Sequence, residues 1–374
     1  MIVGVPKEVK DNEFRVALTP EGARELTSAG HQVLVQEGAG DGSSLYEDRY
    51  KRAGAEFVSS AEDVWRQADM ILKVKEPIEP EYPLMRQGQI LFTYLHLAAV
   101  RSLTKALVQQ NVRAVAYETV EDEQHRLPLL APMSEVAGRM APHVGARLQE
   151  KEYGGRGVLM GGVSGVRPAK VLVLGAGMAG ANAAWIAAGM EAEVIVVDKN
   201  LDKLRWIDQI HKGRIMTLMS DQLTLEQRTR ECDILIGTVL VPGAKAPKLI
   251  NEEMVASMRP GSVIIDISID QGGSVETSHM TTHSDPTYLL HDVVHYAVGN
   301  MPGAVPNTST YALTNVTLPF ALAIANRGLE DAVRHDAALA KGVNAYGGKL
   351  TNQGVAEAHG MEAVALGSVL DGVG

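Results

Sequence analysis

Residues 170–198 read KVLVLGAGMAGANAAWIAAGMEAEVIVVD. The run VLVLG is short, apolar and rich in valine and leucine, and predicts a strand. Gly175-Ala176-Gly177-Met178-Ala179-Gly180 follows at once and opens an alanine-rich helix, and a second apolar run closes on Asp198. In this strand–turn–helix–strand order the G-x-G-x-x-G pattern acquires a physical meaning. The first glycine permits the tight turn, the second lets the backbone approach a pyrophosphate at the helix N-terminus, and the third lets helix and strand pack closely. Asp198 follows about 20 residues on, where a carboxylate accepts hydrogen bonds from the adenosine ribose and repels a 2′-phosphate. NAD is therefore expected rather than NADP. The blander alternatives are a structural glycine turn and a membrane span, since residues 171–190 carry no charge. Glycines interrupt that window, however, and alanine rather than leucine fills it, so the soluble reading prevails.

Alternation of short apolar runs with helical segments continues on both sides. Downstream, RIMTLMS, CDILIGT, SVIIDIS and YAVGN read as strands. Upstream, MIVGVP, HQVLVQE, ADMILKVK, QILFTYLH and RAVAYE do the same, and Thr19-Pro20-Glu21 caps and opens a helix. A helix from about Arg101 to Gln110 precedes RAVAYE, and residues 132–150 predict a long helix with a kink at Pro142. A long apolar helix over 307–326 and a helical tail, with a turn at Tyr346-Gly347-Gly348, end the chain. The fold class expected is α/β: two Rossmann-like domains with a cleft between them, joined by long helices. Residues 1–130 form the first part of a substrate domain, 131–306 a nucleotide-binding domain, and 307–374 the remainder of the substrate domain.

Composition agrees with this and narrows the partners. The 374 residues are 45% hydrophobic and 21% charged, as in globular proteins, and their length suits two domains. Acids outnumber bases 45 to 35, for a formal charge of −10, which argues against a nucleic-acid partner. The lone cysteine, Cys232, excludes an internal disulfide framework. MIVGVPKEVK has no basic stretch before an apolar run, so no signal peptide and a cytoplasmic location are expected.

VGVPKEVKDNEFRVALTPEGAREL resembles the opening signature of the alanine dehydrogenase and pyridine nucleotide transhydrogenase family. KVKEP, YLHLA, APMSEVAGRMA, LGAGMAG, DISIDQGG, TTHSDPTY, GNMPGAVPNTST and NAYGGKLTNQGVAEAHG continue the match in family order over nearly the whole chain. The helix after SEVAGRMA departs from the family at Pro142-His143. The resemblance implies hydride transfer between NAD and the Cα of L-alanine, with pyruvate and ammonia as products, in a homohexamer. Two other readings are the NAD-binding component of a proton-translocating transhydrogenase, which works beside membrane helices, and a non-enzymatic NAD sensor. Retention of four substrate residues speaks against the first, and turnover with alanine separates the second.

Those four make chemical sense individually. Arg15 can grip a carboxylate with two parallel hydrogen bonds. The resemblance gives Lys75 to the substrate carboxylate or oxo oxygen. His96 ends ILFTYLH, and histidine is a residue type suited to general acid–base catalysis. Asp270, at the carboxyl end of IIDISI, can orient water or ammonia, with Asp266 as the competing carboxylate. Met133 and Met301 are candidates for the walls of a small side-chain pocket, although methionine more often fills cores. Matching positions add Ser134, Lys203, Ser220, Val239, Leu240, Ile267, Ile269, Val298, Asn300 and Met301 as cofactor contacts beside the glycine loop, with Asp270 among them. His279, His283, His291 and His295 include two pairs at four-residue spacing. Pro286 and the strand-like YAVGN remove the helix that such a metal site needs, so no metal is expected.

Overall fold

A computed structural model describes residues 1–239 and 246–372. The chain divides into two compact units, unit 1 comprising Met1–Met133 and Gly303–Gly374 and unit 2 comprising Ser134–Pro302. Unit 1 begins with six strands: β1 (Ile2–Val5), β2 (Gln32–Gln36), β3 (Glu56–Val58), β4 (Met70–Leu72), β5 (Ile90–Thr93) and β6 (Arg113–Ala116). All pair in parallel. Strands β4 and β5 are buried along their whole length, which is why they read as continuous apolar runs rather than alternating ones.

Unit 2 contains β7 (Lys170–Leu174), β8 (Glu193–Asp198), β9 (Met216–Met219), β10 (Ile234–Gly237), β11 (Val263–Asp266), β12 (Thr287–Leu290) and β13 (Val293–Tyr296). Its sheet order is β12-β13-β11-β10-β7-β8-β9, parallel except for the antiparallel edge strand β12. The chain then re-enters unit 1 with the helix Pro306–Arg327 and adds β14 (Val343–Tyr346) and β15 (Lys349–Leu350). The order in unit 1 is β15-β14-β6-β5-β4-β1-β2-β3.

Both sheets are doubly wound. In unit 1 the order reverses between β1 and β4, and in unit 2 between β7 and β10. Loops leaving the carboxyl ends of strands at such a point diverge to opposite faces and leave the crevice in which α/β sheets bind ligands. No helix among the described residues is long and apolar enough to cross a membrane. The uncharged window 171–190 is instead β7 followed by the helix Met178–Gly189, whose Ala183, Ala184, Ala187 and Ala188 are buried against the sheet.

Local chemistry explains several element ends. Thr19 caps the helix Pro20–Ser28 by accepting the Gly22 N–H at 3.2 Å, with proline in the first turn. The helix Ala131–Leu148 runs on through Pro142. Three expectations from the sequence need correction. His96 lies beyond β5, which stops at Thr93. The strand expected at YAVGN lies upstream, as β13 over Val293–Tyr296, and takes in only the tyrosine of that run. The tail holds a hairpin as well as helices: β14 and β15 are joined by Gly347 and Gly348 at φ 61° and 72°. Two successive positive φ values are what a two-residue hairpin turn requires, so that glycine pair reverses a strand rather than separating helices.

A polar knot closes the amino end of the unit 2 sheet. Asp233 is fully buried and accepts from Arg156 and Arg167 at 2.8 Å and from the Lys170 N–H at 2.9 Å. Burial pushes its carboxyl up, but bonds from Arg167 and Lys170 and the charge of Arg156 hold it below the usual aspartate range. A depressed pKa contributes stability above the ordinary carboxylate range and loses it as the pH falls through the folded value. Asp233→Asn should therefore cost about 1–3 kcal/mol at neutral pH. Urea unfolding across the acid range should show the gap to wild type closing below about pH 4.

Candidate active site

Three loops leave the carboxyl ends of neighbouring strands in unit 1, and each carries one expected substrate group: Arg15 after β1, Lys75 after β4 and His96 after β5. Arg15 is 2% exposed. Its Nε and Nη2 donate to the two carboxylate oxygens of Glu13 at 2.6 and 2.5 Å, and its Nη1 lies 3.0 Å from the sulfur of Met133. Burial disfavours the charged guanidinium, but Glu13 more than compensates and holds its pKa above the ordinary value. Arg15 and Met133, both expected at the substrate, are thus neighbours.

Lys75 is buried, and its backbone is held from two directions. Its carbonyl accepts the Thr93 hydroxyl at 3.1 Å, and the preceding Val74 N–H donates to Glu8 at 2.6 Å. Glu8 in turn pairs with the buried Lys73, which also meets Glu81 at 2.8 Å. Glu76, next along the chain, is buried and bonded to Lys10 at 2.5 Å. Burial pushes its carboxyl up, while His96, Lys75 and Lys10 draw it below the usual range. One carboxylate thus feels both Lys75 and His96.

His96 adopts the left-handed backbone region, φ 48°. Its N–H donates to Glu118 at 2.6 Å, and its imidazole stacks on Tyr94 with ring centroids 6.0 Å apart. Tyr94 is buried and donates its hydroxyl to the Leu129 carbonyl at 2.6 Å, giving the imidazole a fixed wall.

In unit 2 the glycine loop meets three separate demands. Gly175 has φ 99°, the left-handed region that favours glycine. A Cβ on Gly177 would meet open space, so the backbone there is approachable. A Cβ on Gly180 would fall 1.8 Å from the Gly175 carbonyl oxygen, so any side chain would force the helix away from the loop. Met178, at the start of that helix, is exposed and Ala179 is buried. Asp198, at the end of β8, accepts the Ala176 N–H at 2.6 Å and the Asn200 N–H at 2.7 Å. Each carboxylate oxygen has a further lone pair for a hydroxyl. Ser220 donates its backbone N–H to the Asp198 carbonyl at 3.1 Å, and Lys203 is exposed in the first turn of the helix Leu201–His211. Val239 lies beside Gly175. Leu240 falls outside the described residues.

Asp270 is exposed in the short turn Ile267–Gln271 that follows β11, with Ile267 half-buried and Ile269 buried. Its carboxylate accepts the Asn300 N–H at 3.4 Å, which brings it beside the loop of Val298, Asn300 and Met301. Asn300 has φ 59°, and Val298 and Met301 are buried. Ser134 is half-buried in the helix Ala131–Leu148. Asp266, by contrast, organises the backbone. It is 1% exposed and accepts the N–H groups of Ser268, Ser274 and Val275. The four clustered histidines have ordinary partners. His279, Tyr288 and His295 stack in series, His283 meets the Asn300 carbonyl, and His291 meets Glu252. Among the described residues no group of three or more His, Cys, Asp or Glu side chains could hold a metal ion.

Several supporting residues went unread in the sequence: Glu13, Glu76, Glu118 and Tyr94 in unit 1, and Gly138 in unit 2. A Cβ on Gly138 would lie 2.2 Å from the Ala179 carbonyl oxygen, so this glycine lets its helix approach the glycine-loop helix. Glu13 and Glu76 were available as charges next to expected cations. Glu118 was not, because only the pairing of β5 with β6 brings it to His96.

Residues 4–137 match the family model described as alanine dehydrogenase/PNT, N-terminal domain, and residues 141–353 match alanine dehydrogenase/PNT, C-terminal domain. An alanine dehydrogenase of Mycolicibacterium smegmatis is 56% identical over 96% of this chain and 96% of its own length. Another from Mycobacterium tuberculosis is 54% identical over 99% of this chain and 100% of its own. Among solved structures, an L-alanine dehydrogenase superposes with a TM-score of 0.93 at 49% identity, covering 96% of this chain and 99% of that one. A transhydrogenase from Sinorhizobium meliloti superposes at 0.83 with 25% identity, over 94% of this chain and 100% of that one.

The Glu13–Arg15 pair yields a stability prediction. Glu13→Ala should cost about 3–5 kcal/mol, because it removes the carboxylate that offsets the burial of a guanidinium. Adding Arg15→Met should recover part of that loss, since apolar replacements of buried pairs are often tolerated. Denaturant unfolding of the two variants provides the comparison.

Proposed function

The chain belongs to the alanine dehydrogenase/pyridine nucleotide transhydrogenase family, and on that premise we propose that it catalyses the reversible, NAD-dependent oxidative deamination of L-alanine to pyruvate and ammonia. The observation that carries this reading is whole-length identity of 54% to a relative named alanine dehydrogenase, against 25% to the transhydrogenase chain. The dinucleotide fits unit 2 on physical grounds: an open approach at Gly177, a helix N-terminus beside it, and spare acceptor capacity on Asp198.

When bound, NAD supplies the hydride acceptor at nicotinamide C4. The protein's own residues do the rest. Arg15, held rigid by Glu13, and Lys75 bind the substrate carboxylate and fix the orientation of the Cα–H bond. Alanine reacts as its free amine, the ammonium proton having passed to solvent, and as hydride leaves Cα the nitrogen lone pair forms the C=N bond of an iminium. Asp270 positions the water that adds to the iminium carbon. His96 takes the proton released and returns it to the amine, and ammonia departs as the carbinolamine hydroxyl gives up its proton to become the carbonyl of pyruvate. The family resemblance assigns Met133 and Met301 each to the substrate side chain, which limits it to methyl size. Ser134, Lys203, Ser220, Val239, Ile267, Ile269, Val298 and Asn300 line the cofactor. The family resemblance also carries a homohexamer, which light scattering in solution tests.

NADH formation with a panel of amino acids tests the reaction itself. Alanine should be the best substrate and leucine very poor; equal rates would remove both the pocket and the substrate. Lys75→Ala and His96→Ala should each lower turnover by about 10²-fold or more, the scale of acid–base and positioning groups, with NAD affinity unchanged.

Cofactor choice gives a separate prediction. Wild type should strongly prefer NAD over NADP. Asp198→Ala should weaken NAD by about 1–3 kcal/mol and narrow that preference. Values of kcat/KM for both cofactors in both proteins decide it, and an unchanged ratio would show that Asp198 does not read the ribose.

A further inference from the structure

Glu118 sits in the short turn Tyr117–Thr119 at the carboxyl end of β6. Its carboxylate accepts two successive backbone N–H groups from the loop after β5: Leu95 at 3.1 and 3.2 Å, one contact to each oxygen, and His96 at 2.6 Å. Successive amides converging on one anion form a nest, an arrangement that depends on a left-handed residue. His96 is that residue, at φ 48°. For a residue with a side chain this region costs on the order of 1 kcal/mol or more, and it persists where the surroundings over-determine it.

The surroundings here do so. The His96 carbonyl accepts the Ala99 N–H at 2.9 Å. The Leu97 carbonyl meets the Nε2 of buried His359 at 2.6 Å and the Thr104 hydroxyl at 3.1 Å. On the other flank the Tyr94 ring lies within 14° of parallel to the imidazole. Relaxing the nest would let the His96 backbone return to the extended or helical region, which rotates the Cα–Cβ bond and swings the imidazole off its present line. A glycine would take this turn without assistance, but it would carry no imidazole. The acidic staple is what allows a histidine to occupy the position.

We propose that Glu118 is a positioning residue for His96. It fills the Leu95–His96 nest and holds the backbone in the left-handed state that aims the imidazole. This rests on the reading of His96 as the acid–base group, so the test measures His96→Ala in parallel.

The variants are Glu118→Ala and Glu118→Gln in the full-length protein. The readouts are kcat for alanine oxidation, NAD affinity and the response to added formate, a carboxylate small enough to refill the nest. Glu118→Ala should lose about 10²-fold in kcat, the cost of misplacing a catalytic group by about 1 Å, while NAD affinity stays at the wild-type value. Formate should restore at least about a tenth of that lost rate in Glu118→Ala and do nothing for wild type. Glu118→Gln keeps one carbonyl acceptor and the same volume. It should fold even where the alanine variant does not, and its kcat should fall without formate rescue.

Wild-type kcat in Glu118→Gln would overturn the proposal. So would a loss in Glu118→Ala that formate leaves untouched or that tracks a parallel loss of NAD affinity, since either describes a structural residue. Full turnover in His96→Ala would be a different failure, removing the acid–base reading of His96 and with it the premise.

Discussion

Arg15 carries a full positive charge with 2% of its surface in water. Taking an ion out of water costs several kcal/mol, and a partner must offset that cost. Glu13 does so with two short parallel bonds from two residues away, so the guanidinium stays charged and cannot rotate. Carboxylates recur as fixing groups along the carboxyl edge of the unit 1 sheet. Glu8 fixes the strand end that carries Lys75, Glu76 lies in the field of both Lys75 and His96, and Glu118 holds the backbone of His96. Arg15, expected at a substrate carboxylate, is a cation that a buried acid has immobilised in advance. Preorganisation of this kind removes conformational entropy from the bound complex before the substrate arrives.

Sheet topology decides which side chains can take part. A parallel strand delivers its following loop to the carboxyl edge, and a reversal of strand order opens that edge. Unit 1 reverses at β1 and β4, and Arg15 and Lys75 leave from those two strands. Unit 2 reverses at β7 and β10, and the glycine loop and Val239 leave from those. Close approach of elements matters as much as charge. Gly180 against the Gly175 carbonyl, and Gly138 against the Ala179 carbonyl, are contacts that tolerate no Cβ.

The nucleotide half was legible because its chemistry is local. Strand, glycine turn, helix and terminal carboxylate all fall within residues 170–198, and each residue type has a physical reason to be there. Arg15, Lys75, His96 and Asp270 were named through resemblance of their surrounding motifs; periodicity alone would have left them as ordinary polar residues. What stayed hidden depends on pairings distant in sequence. Glu118 reaches His96 because β5 and β6 are adjacent, and His359 reaches Leu97 from the far end of the chain. The hairpin of β14 and β15 was masked by its alanine-rich setting, and β3 and β12 are too short to show a period. Asp266 and Asp270 illustrate the remaining difficulty. Both close the same apolar run, and only their hydrogen bonds distinguish the carboxylate that organises the turn from the one left exposed.

The central claim is that this protein moves a hydride from the Cα of alanine to a nicotinamide ring. Incubation of the protein with NAD and alanine deuterated at Cα, followed by mass analysis of the reduced cofactor, tests it directly. Direct transfer predicts one deuterium in each reduced nicotinamide and pyruvate in equal amount. Reduced cofactor without deuterium, or deuterium lost to solvent while pyruvate forms, would contradict it.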